Sequence, residues 1–286
     1  MRQGLDRFSS GADDRTDECL VFLHIPKTAG QTLHFMTARN YQQYEEIHLN
    51  ILDKPLDAEM EKIPLEERSK ARLLWGHMPY GVHEHMPRRC EYITVLREPI
   101  DRVISVYKHI LSTPSHKLHA RLFEAKIGIE EYIESGMDMG QTHNSQTRQL
   151  CGWQFGPLDR EALEEAKRNL QGFLVAGLTE RFEETIVLLR RVLGLRFPLY
   201  VTRNVSRPLD VSERAVTLIR ARNELDRELY AFGRDLFLEK IARQDRSFAL
   251  EVSMFRALRP LSRATGRAAN VLRARSHTRI SSRISR

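Results

Sequence analysis

The chain has 286 residues and a formal net charge of +7, from 45 Lys and Arg against 38 Asp and Glu. Nine arginines and no acidic residue fall between Phe255 and Arg286, and removing those nine leaves 36 basic against 38 acidic residues, a net of −2. A body so close to neutrality excludes a domain that coats nucleic acid through global charge.

At 41% hydrophobic the body can bury one sizeable core. No run approaches the roughly 18 apolar residues of a membrane span, the best being Cys19–Ile25. The opening MRQGLDRFSSGADDRTDE lacks the apolar stretch of a secretory signal. Cys19, Cys90 and Cys151 are an odd number without a CxxC pair, which points to neither a disulfide framework nor a structural zinc site. The expected setting is reducing and cytoplasmic.

Residues 1–18, polar with Gly and Ser, read as a flexible leader. Leu20–Ile25 reads as a buried parallel strand bounded by Pro26 and Gly30, and Gln31–Asn40 as a helix with Leu33 and Met36 inward. Residues 41–70 read as a helical excursion broken at Pro55 and Pro64. A second strand fits Arg72–Trp75 and a third Glu91–Leu96. Pro99 then opens a helix with Ile100, Val103, Ile104, Tyr107, Ile110 and Leu111 on one face. Helices are expected near Ile129–Ser135, Asn144–Cys151 and Arg160–Leu170, and a fourth strand over Phe173–Ala176. Thr179 is read as the cap of a helix carrying Phe182, Ile186, Leu189 and Leu193. A single long helix is read through Ala215, Leu218, Leu225, Leu229, Phe232 and Leu236. The ordered domain is expected over 19–250, with an arginine-rich tail over 251–286.

Strands alternating with helices predict an α/β fold with a central parallel sheet flanked by helices. In such folds ligands bind at the carboxyl ends of the strands, and two of those ends carry unusual residues. The first reads HIPKTAGQT over 24–32: a strand turns through Pro26, Lys27 and Gly30 into a helix N-terminus, where backbone N–H groups and the helix dipole favour an anion. Lys27 adds a point charge, and Thr28 and Thr32 add hydroxyls. The text is not a Walker A loop, GxxxxGK(S/T), because Lys27 precedes the loop glycine. The second end reads VLREPIDRVISVY over 95–107; Arg97 closes an apolar strand and Ser105 lies about two turns into the next helix. A guanidinium there suits bidentate phosphate capture. Two such ends in one sheet point to a ligand with two separate phosphate groups.

Together HIPKTAGQT and VLREPIDRVISVY resemble the phosphate loops of sulfotransferases that use 3′-phosphoadenosine-5′-phosphosulfate (PAPS), closest to the carbohydrate branch that includes heparan sulfate 2-O-sulfotransferase and its bacterial relatives. Trp75–Met78, Asn144–Leu150, Gly177–Glu183 and Asp226–Tyr230 fit that branch in order, and the resemblance spans roughly 19–240. It implies a three-layer, P-loop-like sulfotransferase fold, PAPS as co-substrate, adenosine 3′,5′-bisphosphate as product, and no metal. Position by position it implies Lys27 on the 5′-phosphosulfate, Thr28, Ala29, Gly30, Gln31 and Thr32 cradling the 5′-phosphate, and Arg97 with Ser105 on the 3′-phosphate. The acceptor it implies is a hydroxyl of a glycan or glycolipid, not nucleic acid.

Transfer to an alcohol needs a base for the hydroxyl proton and positive charge at the leaving oxygen. Histidine suits the first near neutral pH. His77, after the second strand, matches the base of the resembling enzymes, with Lys27 serving the leaving group; His83 and His85 follow the same strand and stay open as base or substrate contacts. His77, His83 and His85 could be read as a metal cluster, but no Cys or carboxylate is arranged to complete it. His116 and His119 are expected on a solvated helix face. The polar run Asn144, Gln146, Thr147 and Arg148 suits ordinary capping of a helix start as readily as a site; the resemblance implies that it faces the site, with Arg148 a candidate for an acidic substrate or the phosphosulfate, and Arg203–Ser206 is a candidate to close over the nucleotide. The arginines of 255–286, interleaved with Leu, Val and Ile, suit adsorption to an anionic membrane as readily as a solvated extension. Two readings compete with sulfuryl transfer: a Mg²⁺-dependent nucleotide kinase with an atypical phosphate loop, and a non-catalytic membrane- or nucleic-acid-binding scaffold.

Overall fold

The computed structural model describes residues 18–37, 46–152, 155–195 and 209–257. Residues 1–17 of the leader, the segment Arg203–Ser206 and the tail beyond 257 lie outside the described residues, and Glu18 belongs to β1 rather than to the leader. In chain order the elements are β1 Glu18–Leu23, α1 Gly30–Thr37, β2 Glu46–Asn50, α2 Leu56–Glu61, α3 Leu65–Lys70, β3 Leu73–His77, a 3₁₀ turn Val82–His85 and β4 Arg89–Leu96. Then come α4 Pro99–Ser112, α5 His119–Glu124, α6 Ile129–Glu134, α7 Met139–Thr142, α8 Ser145–Cys151, α9 Arg160–Gln171, β5 Val175–Leu178, α10 Phe182–Leu193, α11 Glu213–Arg222 and α12 Glu224–Ala242. A last helical stretch covers 247–257.

The five strands form one parallel sheet in the order β2-β3-β1-β4-β5. Central β1 pairs with β3 on one side (Leu20 with Leu73) and β4 on the other (Leu20 with Glu91), and its residues Cys19 to Leu23 are all buried. This is why it reads as a continuous apolar run: helices cover both faces, so neither side alternates with water. The main core joins the sheet to α8, α9, α10 and α12; a second apolar cluster, built on Val103, Tyr107, Tyr132 and Ile219, joins α4, α5, α6 and α11. Pro99 occupies the first turn of α4, and the Glu98 side chain caps it, accepting from the Asp101 N–H at 3.0 Å.

Four expectations need correction. Residues 46–50 form β2, an edge strand rather than part of a helical excursion; only Leu49 is buried in it, so its sequence carries almost no apolar signal. Thr179 does not cap α10: its hydroxyl donates to the Leu96 carbonyl at 3.1 Å, and the helix starts after Arg181. The single long helix is two, α11 and α12, broken at the fully buried Asn223, whose amide donates to the carbonyls of Thr142 (2.7 Å) and Ile219 (2.9 Å). The folded body runs past 250: Phe248, Val252 and Phe255 pack into the main core, and Glu251 pairs with Arg190 and Arg191.

Candidate active site

Each strand delivers one residue, at or just beyond its carboxyl end, to a single cavity of about 1330 Å³: Asn50 from β2, His77 from β3, His24 from β1, Arg97 from β4 and Thr179 from β5. The β1–α1 loop forms one wall. Lys27 (φ 70°) and Ala29 (φ 65°) sit in the left-handed region, which non-glycine residues adopt at a cost. Thr28 between them is buried, its hydroxyl donating to the Ile25 carbonyl at 2.8 Å; that side chain shapes the loop instead of lining the cavity. Gly30 is there for space: a Cβ would lie 1.9 Å from the His24 ring. Lys27, Ala29, Gly30 and Thr32 line the cavity, and Gln31 is the second residue of α1.

Arg97 and Ser105 line the same cavity. The Arg97 guanidinium donates to the Lys27 carbonyl at 3.0 Å, tying the two anion-suited loops together across β1 and β4. Burial first, and the Arg97 charge second, push the Lys27 ammonium below the ordinary lysine range. An anion seated between the two cations would relieve that repulsion.

His77 ends β3 with its ring 4.4 Å from that of His24, and its Nδ1 lies 2.9 Å from the His24 carbonyl. A carbonyl only accepts, so Nδ1 carries the hydrogen and Nε2 of the neutral ring keeps its lone pair. Burial, with a smaller contribution from the Lys27 charge, holds the His77 pKa below the ordinary histidine value, against the opposing pull of the His24 carbonyl. His77 is thus neutral near pH 7, with a basic nitrogen beside a lysine. Gly76, just before it, has φ 134° and would put a Cβ 1.9 Å from the Leu49 carbonyl, so β2 can approach β3 only with glycine there.

His83 and His85 do not join His77. His83 Nδ1 meets the Tyr92 hydroxyl at 2.9 Å and His85 Nε2 lies 3.1 Å from Asp57; neither lines the cavity. Among the described residues no three His, Cys, Asp or Glu side chains are gathered to hold a metal ion.

Of the polar run at α8, Arg148 lines the cavity. Asn144 and Gln146 serve the protein's own backbone instead: Asn144 accepts from the Asp226 N–H at 3.1 Å, and Gln146 brackets Arg97, accepting from its N–H at 3.0 Å and donating to its carbonyl at 2.9 Å. Gln146 therefore acts on the site by fixing Arg97. The first turn of α8 is capped from α12, where Asp226 accepts from the N–H groups of Gln146 (3.1 Å) and Thr147 (2.7 Å) and from the Thr147 hydroxyl (2.8 Å).

Several liners escaped the sequence reading. Asn50 lies opposite His77 in the β2–β3 register, followed by Leu52 and Asp53; His116, Lys117, Asp138 and Met139 line the same cavity. His116 thus belongs to the cavity wall rather than to a solvated helix face. β2 was the missing signal: once Asn50 is placed at a strand end, it belongs with the other four.

Burial pushes His24, His77, His48, His109, His116 and His143 below the ordinary histidine range. The unfolded chain takes up those protons near pH 6.5, the folded chain only at lower pH. Below about 6.5 the unfolded state therefore binds more protons and stability falls with pH; above it this contribution is flat. The melting temperature is expected to hold between pH 8 and 7 and to drop between pH 6.5 and 5 in a calorimetric series; an unchanged value down to pH 5 would contradict this.

A parallel sheet whose strand ends gather Lys27, Arg97, a hydroxyl-bearing loop and the neutral ring of His77 suits an enzyme that binds a phosphorylated anion. Residues 13–233 match the model of the sulfotransferase family, and the chain belongs to that family; it is a PAPS-dependent sulfotransferase. It is 25% identical to heparan-sulfate 6-O-sulfotransferase 1 of Homo sapiens, over 80% of this chain and 67% of that protein. It is also 27% identical to heparan-sulfate 6-O-sulfotransferase 2 of Danio rerio, over 78% of this chain and 59% of that protein. These relatives are 6-O enzymes, whereas the sequence resemblance was drawn to the 2-O branch.

Proposed function

We propose that the chain moves a sulfuryl group from PAPS to a hydroxyl of a carbohydrate, free or lipid-linked, with His77 as general base. The observation that carries this is the His77 Nδ1 contact with the His24 carbonyl, which leaves Nε2 basic beside Lys27. The acceptor oxygen attacks sulfur as its proton passes to Nε2. An S–O bond forms to the acceptor while the S–O bond to the 5′-phosphate breaks, its electron pair remaining on the phosphate oxygen. Lys27 stabilises that oxygen, and adenosine 3′,5′-bisphosphate leaves. Arg97 and Ser105 hold the 3′-phosphate. Asn50, Asp53 and Asp138 of the cavity lining offer acceptors for sugar hydroxyls, and Lys117 and Arg148 bring positive charge to the same lining. The relatives' names specify heparan sulfate, which makes a heparan sulfate oligosaccharide the first acceptor to try.

Calorimetry with adenosine 3′,5′-bisphosphate tests the donor half. Arg97→Ala removes a charge-assisted contact and is expected to weaken binding about 10- to 100-fold. Unchanged affinity would move the 3′-phosphate elsewhere.

A further inference from the structure

The mechanism does not use Gln149, although this side chain is 2% exposed and stands at the cavity beside the base. Its Nε2 lies 3.1 Å from the His24 carbonyl and 2.8 Å from the Met78 carbonyl. The first is the carbonyl that receives His77 Nδ1; the second belongs to the residue after His77. The Gln149 backbone carbonyl accepts from the Tyr80 N–H at 2.8 Å. One residue of α8 therefore grips the end of β1 and the chain leaving β3, on both sides of the base.

The amide can face only one way. Both neighbours are carbonyls, so the nitrogen points at them and Oε1 is turned aside. That oxygen is buried with no hydrogen-bond partner in the structure. An unsatisfied buried acceptor destabilises a fold, and an apolar side chain of the same size would avoid it. The residue type is thus explained by the two bonds its nitrogen makes. The His24 N–H is fixed by the Gly76 carbonyl at 3.0 Å, the last rung of the β1–β3 ladder. Beyond it lies the loop with left-handed Lys27 and Ala29. The His24 carbonyl sits where sheet gives way to loop, and the Gln149 amide is its second tie.

We propose, resting on the reading of His77 as base, that Gln149 is a positioning residue: by holding the His24 and Met78 carbonyls it fixes the ring orientation and tautomer of His77. Besides burial, the Lys27 charge lowers the proton affinity of His77, and His77 in turn lowers that of His24, whose ring lies 4.4 Å from its own, and of His48; Gln149 is neutral and acts on the geometry of the ring.

The test uses the full chain with ¹⁵N-labelled histidine, comparing wild type with Gln149→Met, which keeps volume and removes the donor. Wild-type His77 is expected to show the Nδ1–H tautomer alone. In the variant both tautomers are expected, the acid limb of the pH–rate profile should shift, and kcat should fall about 10- to 100-fold, as for other supporting-shell changes. The KM for PAPS and the affinity for adenosine 3′,5′-bisphosphate should stay within about twofold. Gln149→Leu serves as the second variant if Gln149→Met does not fold. A single Nδ1–H tautomer with an unshifted pH profile in the variant would overturn the proposal, even if the protein melts earlier. If instead His77→Ala still transfers sulfate, the reading of His77 as base fails, and the tautomer signal still reports whether Gln149 orients the ring.

Discussion

Alanine at position 77 is expected to lower kcat by about 10²- to 10⁴-fold, the usual contribution of a positioned general base. Affinity for adenosine 3′,5′-bisphosphate should stay within about twofold, because the residues assigned to the phosphates, Lys27, Thr32, Arg97 and Ser105, lie on other elements. This separation is what makes the substitution informative: a variant that merely unfolded would lose both. The wild-type pH profile should agree. Burial and the Lys27 charge hold the His77 pKa below the ordinary value, so the acid limb of kcat/KM should fall below about pH 6.5. An acid limb above 6.5, or near-normal turnover in His77→Ala, would remove the base from this residue.

Asp226→Ala is expected to cost about 3–5 kcal/mol, as for one partner stripped from a buried charge network. The carboxylate is fully buried and accepts three hydrogen bonds from Gln146 and Thr147. It is also the charge that most offsets the burial of Arg102, whose side chain is fully enclosed in α4. Removing it leaves two helix N–H groups and a hydroxyl without their partner, each a desolvation penalty, and takes from the buried Arg102 guanidinium its largest electrostatic offset. A loss of that size should lower the melting temperature by on the order of 10 °C in a chain of this length. Function should suffer too, since Gln146, anchored by Asp226, holds Arg97. Weaker nucleotide binding in the surviving folded fraction is the expected signature. A shift under about 2 °C would show that the network contributes little.

The parts legible in sequence were those where local and tertiary demands coincide. β1 and β4 are buried on both faces, so their apolar runs needed no context. The loop at 24–32 and Arg97 were legible because strand ends that bind phosphate use few residue types, and the structure places both at one cavity. What stayed hidden is tertiary in origin. β2 has one buried side chain and is a strand because β3 lies beside it. Without β2, Asn50 and Asp53 had no reason to be grouped with His77. The α11–α12 break is set by contacts that Asn223 makes with residues about 80 positions away. A local sign existed, since Asn223 precedes Glu224 and Asp226, a plain helix-start pattern. For Asn144 and Gln146, polarity at a helix start suited capping as readily as a site, and the family resemblance alone implied the site; only the fold reveals that their partners are the backbones of Asp226 and Arg97.

Incubation of the full chain with ³⁵S-labelled PAPS and heparan sulfate oligosaccharides, alongside a total glycan and glycolipid extract, tests the central claim most directly. Label should appear on a saccharide hydroxyl in one of the two acceptor pools, in the presence of EDTA, and its rate of appearance should fall at least about 100-fold with His77→Ala. Label recovered only as free sulfate, or phosphate transfer from ATP that depends on Mg²⁺, would contradict the account.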